Sequence, residues 1–145
     1  MKGSKLALLW ILMFLASGCI VYGILTYQKI IASTGTVKTV NVGAYWDWSC
    51  TDVISFIDWG MIEPGSSANA TVYLRNEGNS PAILSLNVTN WSPVEAEGFM
   101  SLSWDYNGDD LKPGEVLPLY LTLSVAQNIT GITSFSFEIT IIGEG

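Results

Sequence analysis

The chain has 145 residues, with 13 acidic side chains against six basic ones, a net charge of −7 and no histidine. An acidic surface repels nucleic acid and anionic lipid headgroups, and it favours cations or a basic partner. With no histidine and two cysteines, the sequence also lacks the ligands of a zinc site. The composition therefore argues against nucleic-acid binding and against zinc chemistry.

The first predicted element is an apolar helix. Residues 6–25 carry no charge, and at about 1.5 Å per residue they form a helix of roughly 30 Å, which matches the hydrocarbon thickness of a bilayer. Lys2 and Lys5 precede this helix and Lys29 follows it, which favours an amino terminus inside and a C-terminal domain outside. We predict a single-pass protein of the cell membrane with a cytoplasmic stub over 1–5, a transmembrane helix or uncleaved signal anchor over 6–27, a linker over 28–35 and an outer domain over 36–143.

Three kinds of processing compete with a retained anchor. Residues 15–19 resemble a lipoprotein box that ends at Cys19, although the residues after it stay apolar. A signal peptidase would cut near Thr34, where small residues gather, and would release an extracellular protein. A type IV pilin leader would be cut after Gly3, but the acidic residue expected soon after that cut is missing.

The outer domain is strongly acidic and rich in glycosylation signals. Residues 34–145 carry all 13 acids against the three bases Lys38, Arg75 and Lys112, a net charge of −10. Four Asn-x-Ser/Thr sequons follow the apolar helix, at Asn69, Asn87, Asn90 and Asn128. Among them Asn90 is the poorest acceptor, because Pro93 follows its Ser92. The sequons agree with an extracellular domain.

Beyond residue 36 the apolar residues alternate with period two, which predicts strands and no helix. Six runs show this pattern, over 40–46, 68–75, 82–88, 100–104, 117–125 and 135–141, and the short apolar run 53–57 adds a seventh predicted strand. Pro64-Gly65 and Pro113-Gly114 each precede a long run; proline fixes φ and glycine accepts a positive φ, so both predict turns that begin a strand. We predict a single antiparallel β-sandwich of immunoglobulin-like or jelly-roll-like type.

The motifs that carry a family resemblance are Ile57-Asp58-Trp59-Gly60, Glu63-Pro64-Gly65-Ser66, residues 72–79 and residues 135–141. With them the chain resembles archaeal membrane-anchored surface β-sandwich proteins, and more remotely the TasA and camelysin-type matrix fibres and the related bundling-pilus subunits. The resemblance implies a sandwich that polymerises when a free amino-terminal strand completes the sheet of a neighbour. The donor strand would then be residues 34–44, with Val37, Val40, Val42 and Ala44 as the inserting side chains.

A calcium loop is the one metal site that the sequence suggests. Asp105, Asn107 and Asp109 place oxygens at positions 1, 3 and 5 of such a loop. Position 6 is Asp110 instead of glycine, and position 12 is Val116 instead of glutamate. Because Asn107-Gly108 is itself a strong hairpin signal, the pattern favours a turn, with calcium as the alternative. We expect no other cofactor.

Aromatic side chains offer a second kind of site. Exposed rings could stack on sugars, whereas half of the aromatic residues of a sandwich fill its core. The set is Tyr45, Trp46, Trp48, Trp59, Trp91 and Trp104. By their phase in the alternation we expect Trp46 and Trp104 in the core, and we keep Trp48 and Trp91, near loops, as sugar-stacking candidates. Cys50 is expected to be a small buried thiol, with an intermolecular disulfide as the alternative.

Catalysis has little support. The acids available for general acid and base work, Asp47, Asp52, Asp58, Glu95 and Glu97, lie on predicted loops where solvated charge is ordinary. No histidine, nucleophile elbow or phosphate-binding glycine loop accompanies them.

These observations favour a non-enzymatic structural or adhesive protein of the cell surface. It would contact the bilayer through residues 6–27 and associate with itself or with other surface proteins. One alternative is a secreted fibre or pilus subunit, cleaved near Thr34, that polymerises by donor-strand exchange. The other is a carbohydrate-binding module.

Overall fold

A computed structural model of the chain describes residues 31–36 and 38–145. Within it, Thr36–Gly145 forms one compact unit. The predicted transmembrane helix over 6–27 and the donor-strand candidate Val37 lie outside the described residues. In the described part of the chain, no helix has both the length and the apolar character needed to cross a membrane.

The described domain is all-β with antiparallel sheets, which confirms the predicted fold class at this level. Its strands are β1 (Val42–Tyr45), β2 (Ser67–Asn76), β3 (Ile83–Ser92), β4 (Met100–Trp104), β5 (Val116–Val125) and β6 (Ser136–Glu144). One sheet has the order β1-β2-β5-β4, and the other consists of β3 and β6. A short 3₁₀ helix, Val94–Gly98, joins β3 to β4. The predicted strand over 53–57 is reduced to a single bridge between Val53 and Tyr45.

The pairing of β2 with β5 forms the centre of the larger sheet. Nine residue pairs join these strands, from Ser67 opposite Ser124 to Arg75 opposite Val116. The two Pro-Gly turns lie at the two ends of this pair, with Gly65 at φ +77° and Gly114 at φ +76°. Their amides donate to the carbonyls of Val125 and Asn76 at 3.1 and 2.8 Å. The turn chemistry of the sequence thus sets the register of the central pair.

Side chains from both sheets meet in a common core, so the architecture is sandwich-like. Leu74 of β2, Leu121 of β5 and Leu84 of β3 belong to one buried cluster, against which Ile139 and Ile141 of β6 pack. Burying one such side chain contributes roughly 1.5–3 kcal/mol of transfer free energy. A neighbouring cluster gathers Ala96, Met100, Leu123 and Val125, with Trp91, Phe135 and Phe137 against it.

The prediction for Trp46 is wrong, whereas Trp104 packs against the core as expected. Trp46 is 37% exposed. The strand ends at Tyr45, and the chain turns there into a loop that is closed by a hydrogen bond from the Trp46 amide to the Asp52 carbonyl at 2.8 Å. The alternation therefore stops one residue before the tryptophan, and the ring leaves the core face.

Candidate functional site

An apolar groove of about 770 Å³ lies beside β6 in the described domain. One wall is residues 54–62, here called the crossing segment, and the other is residues 133–141, which include most of β6. The floor comes from the larger sheet, through Val72, Met100, Leu121 and Val125. The groove therefore reaches down to the face that the two sheets share.

The crossing segment is held at its first residue, Ile54, and just beyond its last residue, at Gly65. The Ile54 amide donates to the Ala44 carbonyl at 3.0 Å, beside β1, and the Gly65 amide donates to the Val125 carbonyl at 3.1 Å, at the end of β5. Between these points Trp59 stacks on Phe137 of β6, with ring centroids 6.2 Å apart. Among the described residues, no backbone hydrogen bond joins the crossing segment to β6. The segment lies beside β6 without becoming a strand of its sheet.

The edge of β6 that faces the groove is open. β6 pairs with β3 from Ile83 opposite Glu144 to Ser92 opposite Ser136, and within 31–36 and 38–145 no second strand pairs with it. Such an edge presents a row of free backbone N–H and C=O groups. The groove thus combines an unpaired strand with apolar side chains.

The rim of the groove is both apolar and acidic. Phe56 is 74% exposed and Met61 is 99% exposed, and clustered exposed hydrophobic side chains mark interaction sites. Asp58 and Glu138 also line the groove. Across the described residues the one ion pair joins Arg75 to Glu77, so neither rim carboxylate is neutralised by a described base.

A second cluster lies on the outer face of the larger sheet. The Tyr45 hydroxyl donates to Oε1 of Glu77, and Arg75 Nη2 donates to the same oxygen at 2.8 Å. The Arg75 guanidinium lies over the Tyr45 ring, 5.1 Å from its centroid. Gly43 makes room for this cluster, since a Cβ there would collide with the Tyr45 ring and with Glu77.

These contacts shift two pKa values in opposite directions. The hydrogen bond from Tyr45, followed by that from Arg75, lowers the pKa of Glu77 below its ordinary value. The hydrogen bond to Glu77 raises the pKa of Tyr45. The cluster joins the end of β1 to the residues after β2, and its groups are satisfied by one another, which is the pattern of a structural clamp.

The calcium candidates are arranged as a turn. Asp105 Oδ1 accepts from the Tyr120 amide of β5 at 2.8 Å. Asn107 donates to Asp109 Oδ2 at 2.5 Å and accepts from the Asp109 amide at 3.1 Å, and Gly108 has φ +88°. No group of three or more histidine, cysteine or acidic residues is placed to hold a metal in the part of the chain that the structure describes. The calcium site stays a prediction.

All four sequon asparagines are exposed: Asn69, Asn87, Asn90 and Asn128. They differ in their side-chain contacts. The Asn90 amide donates to Glu138 Oε2 at 2.6 Å, and its backbone has a positive φ of 55°. The nitrogen that would carry a glycan at Asn90 is therefore engaged in the folded domain.

The donor-strand candidates occupy the chain's own sheet. Val42 lies opposite Asn76 and Ala44 opposite Leu74, in the pairing of β1 with β2. Before them, the Thr39 and Asn41 carbonyls accept from the amides of Asn79 and Glu77 at 3.1 and 2.8 Å. Val40 is half-buried. In this structure residues 39–45 complete the sheet of the same chain.

The sugar-stacking candidates separate clearly. Trp48 is 60% exposed and meets Tyr73 edge to face, 6.0 Å between ring centroids. Trp91 packs on Phe137 at 4.4 Å instead. Tyr120, which was not predicted from the sequence, is 57% exposed on the same sheet as Tyr73. Its exposure could have been predicted, because it alternates with the buried leucines of β5.

Two further sequence candidates have structural roles. Asp47 Oδ1 accepts from the amides of Thr51 and Asp52 at 2.9 and 2.8 Å. These hydrogen bonds lower the pKa of Asp47, and the bond from the Asp52 amide has the largest effect. Cys50 is a buried free thiol, as expected.

No protein-family model and no curated protein matches this chain. Function is therefore inferred from the groove, the open edge of β6 and the distribution of charge.

Proposed function

We propose that this chain is a non-enzymatic structural or adhesive protein that presents one acidic β-sandwich outside the membrane and works by association. The observation that carries the proposal is the apolar groove beside the open edge of β6. Exposing Phe56 and Met61 brings a solitary domain no stability, but it provides a surface on which a partner buries apolar area.

The proposed location rests on the sequence and on the exposure of its sequons. Residues 6–27 would anchor the chain, and the domain would face the exterior in an immunoglobulin-like or jelly-roll-like arrangement. The exposed sequon asparagines support an extracellular side. The charge of −10 over residues 34–145 keeps the domain soluble beside anionic headgroups.

Protease accessibility tests this location. The full chain, with an epitope tag before Met1, is expressed in a host that permits membrane insertion, and intact cells are treated with a protease. We expect digestion of the domain and protection of the tag, and lysis should expose both. A domain that resists until lysis would contradict the proposed orientation.

The fibre subunit is the second candidate, and a specific feature favours it. β1 has only four residues and forms the edge of its sheet, and it follows the exposed residues 31–36. Exchange of this strand into a neighbour would keep the pairing with β2, as the resemblance to TasA and camelysin-type fibres implies. Filaments in culture medium, with subunits that begin near Thr34, would support this candidate over the anchored protein.

The carbohydrate-binding module is the third candidate, favoured by the exposed Trp48 ring against Tyr73. Stacked sugars would change the emission of Trp48. Titration of the full chain with a panel of neutral glycans, and of the Trp48→Phe variant as control, tests this. A change that is absent in the variant supports sugar binding, and no change across the panel contradicts it.

A further inference from the structure

We infer that the groove at β6 binds an extended strand of another protein, apolar on one face and flanked by lysine or arginine, which joins the sheet of β3 and β6 as a third strand. This inference rests on the proposed function, since it names the partner that the association would involve.

The backbone of β6 favours a strand over other ligands. Its groove-side edge has no strand partner among residues 31–36 and 38–145. An extended peptide satisfies such an edge through main-chain hydrogen bonds, whereas a compact ligand leaves the N–H and C=O groups to water. Residues 136–141 of β6 line the groove, so the contact would span about six residues, or roughly 20 Å at 3.3 Å per residue.

The side chains of the groove call for apolar groups on one face of that strand. Val72, Leu121 and Val125 form the floor, and Phe56 and Met61 lie on the crossing segment opposite β6. Side chains of a strand alternate between its two faces. Aliphatic residues at every second position would therefore enter the groove, while the residues between them face water.

The charge of the groove defines the flanks of the partner. Asp58 and Glu138 line the groove, and the described chain pairs neither with a base. The domain around them has a net charge of −10. Lysine or arginine beside the apolar positions would be attracted to this rim, whereas the outer domain of a second copy carries the same excess of acid.

Three synthetic peptides test the inference on the full-length protein in detergent micelles. The probe KVTVKVTVK is a basic alternating strand, EVTVEVTVE reverses its charge, and KPTPKPTPK keeps the charge but lacks the amide donors of the replaced valines. Binding is followed by fluorescence anisotropy of labelled peptides, and amide hydrogen exchange locates the contact. We expect the first peptide to bind at least about tenfold more tightly than either control, with new protection over residues 136–141.

Variants separate the groove from the rest of the surface. Phe56→Asn and Met61→Asn place an uncharged polar side chain on the exposed wall and should weaken binding of the first peptide by about tenfold or more. Val94→Asn alters an apolar residue of similar exposure on the 3₁₀ helix, outside the groove, and should leave binding unchanged. Circular dichroism confirms the folding of each variant. Because Met61 is nearly fully exposed, its substitution removes no buried side chain and should not destabilise the domain.

Each other outcome overturns the inference. Equal binding of the two basic peptides would show simple charge attraction, and protection outside β6 would place the contact elsewhere. If the amides of residues 136–141 are protected from hydrogen exchange without any peptide, and the full chain also self-associates, the occupant of the groove is a second copy. The protease experiment and the peptide experiment can fail independently. If the protease experiment shows that the domain lies outside the cell but none of the peptides binds, the strand partner is rejected and the proposed function stands.

Discussion

The side-chain amide of Asn76 donates to the carbonyl oxygen of Leu111 at 2.8 Å, and thereby joins the last residue of β2 to the loop before β5. Its second hydrogen bonds the Ser80 carbonyl at 2.7 Å, and its oxygen accepts from the Gly78 amide at 2.9 Å. Asn76 is 1% exposed. One buried side chain thus contacts two backbone groups of the turn between β2 and β3 and one of the loop before β5.

Asn76→Ala should destabilise the domain strongly. The substitution removes the side-chain partner of the Ser80 carbonyl and of the Gly78 amide, whereas the Leu111 carbonyl keeps the Ala82 amide; each group left unpaired costs about 1–3 kcal/mol. We expect a loss of about 3 kcal/mol in the free energy of unfolding, measured by urea denaturation. The exposed Asn128→Ala should change it by less than about 0.5 kcal/mol. Equal effects of the two substitutions would contradict the role assigned to Asn76.

Gly78→Ala should loosen the chain before β1. A Cβ at residue 78 would collide with the backbone oxygen of Thr39, and backbone atoms cannot move aside as a side-chain tip does. We expect faster hydrogen exchange at the amides of Glu77 and Asn79, which bond residues 41 and 39. Gly98→Ala is the matched control, because nothing lies within 4 Å of its added Cβ. Unchanged exchange in Gly78→Ala would refute the close approach.

Acid should destabilise the domain partly through Glu77 and Asp47. Both have folded-state pKa values below their ordinary ones, so their contribution is complete above the unfolded-state pKa, near 4, and is lost as the pH falls through the folded-state value. We expect the denaturation midpoint to fall in this range. Glu77→Gln should be less stable at neutral pH and should show a shallower decline. An identical slope would exclude Glu77 from the acid response.

Glycan occupancy should differ between the sequons. Asn90 donates to Glu138, so a glycan on its amide nitrogen would displace this contact in the folded domain. In material from a host that glycosylates exported proteins, peptide mass spectrometry should find Asn90 less occupied than Asn69, Asn87 and Asn128. Full occupancy at Asn90 would contradict the prediction.

The sequence predicted those parts of the fold that local chemistry determines. Pro64-Gly65 and Pro113-Gly114 lie at the turns that begin β2 and β5, because proline and glycine restrict the backbone irrespective of distant residues. The alternation in residues 117–125 gave the longest predicted strand, and β5 occupies Val116–Val125.

What the sequence did not predict depends on contacts between distant residues. The apolar run 53–57 has strand-like residues, yet only Val53 finds a bridge, because the chain leaves β1 and crosses toward β5. The groove has no local signal, since Phe56 belongs to that run and the open edge belongs to β6, about eighty residues later. The burial of Trp46 was also mispredicted, because the loop that Asp47 stabilises begins directly after Tyr45 and ends the alternation there.

The amino-terminal residue and intact mass of the protein, isolated separately from membranes and culture medium, test the central claim most directly. We expect a chain that begins at Met1 in the membrane fraction, with any added mass located on sequon asparagines. A chain that begins near Thr34 and is found in the medium would contradict the anchored surface protein and favour the fibre subunit.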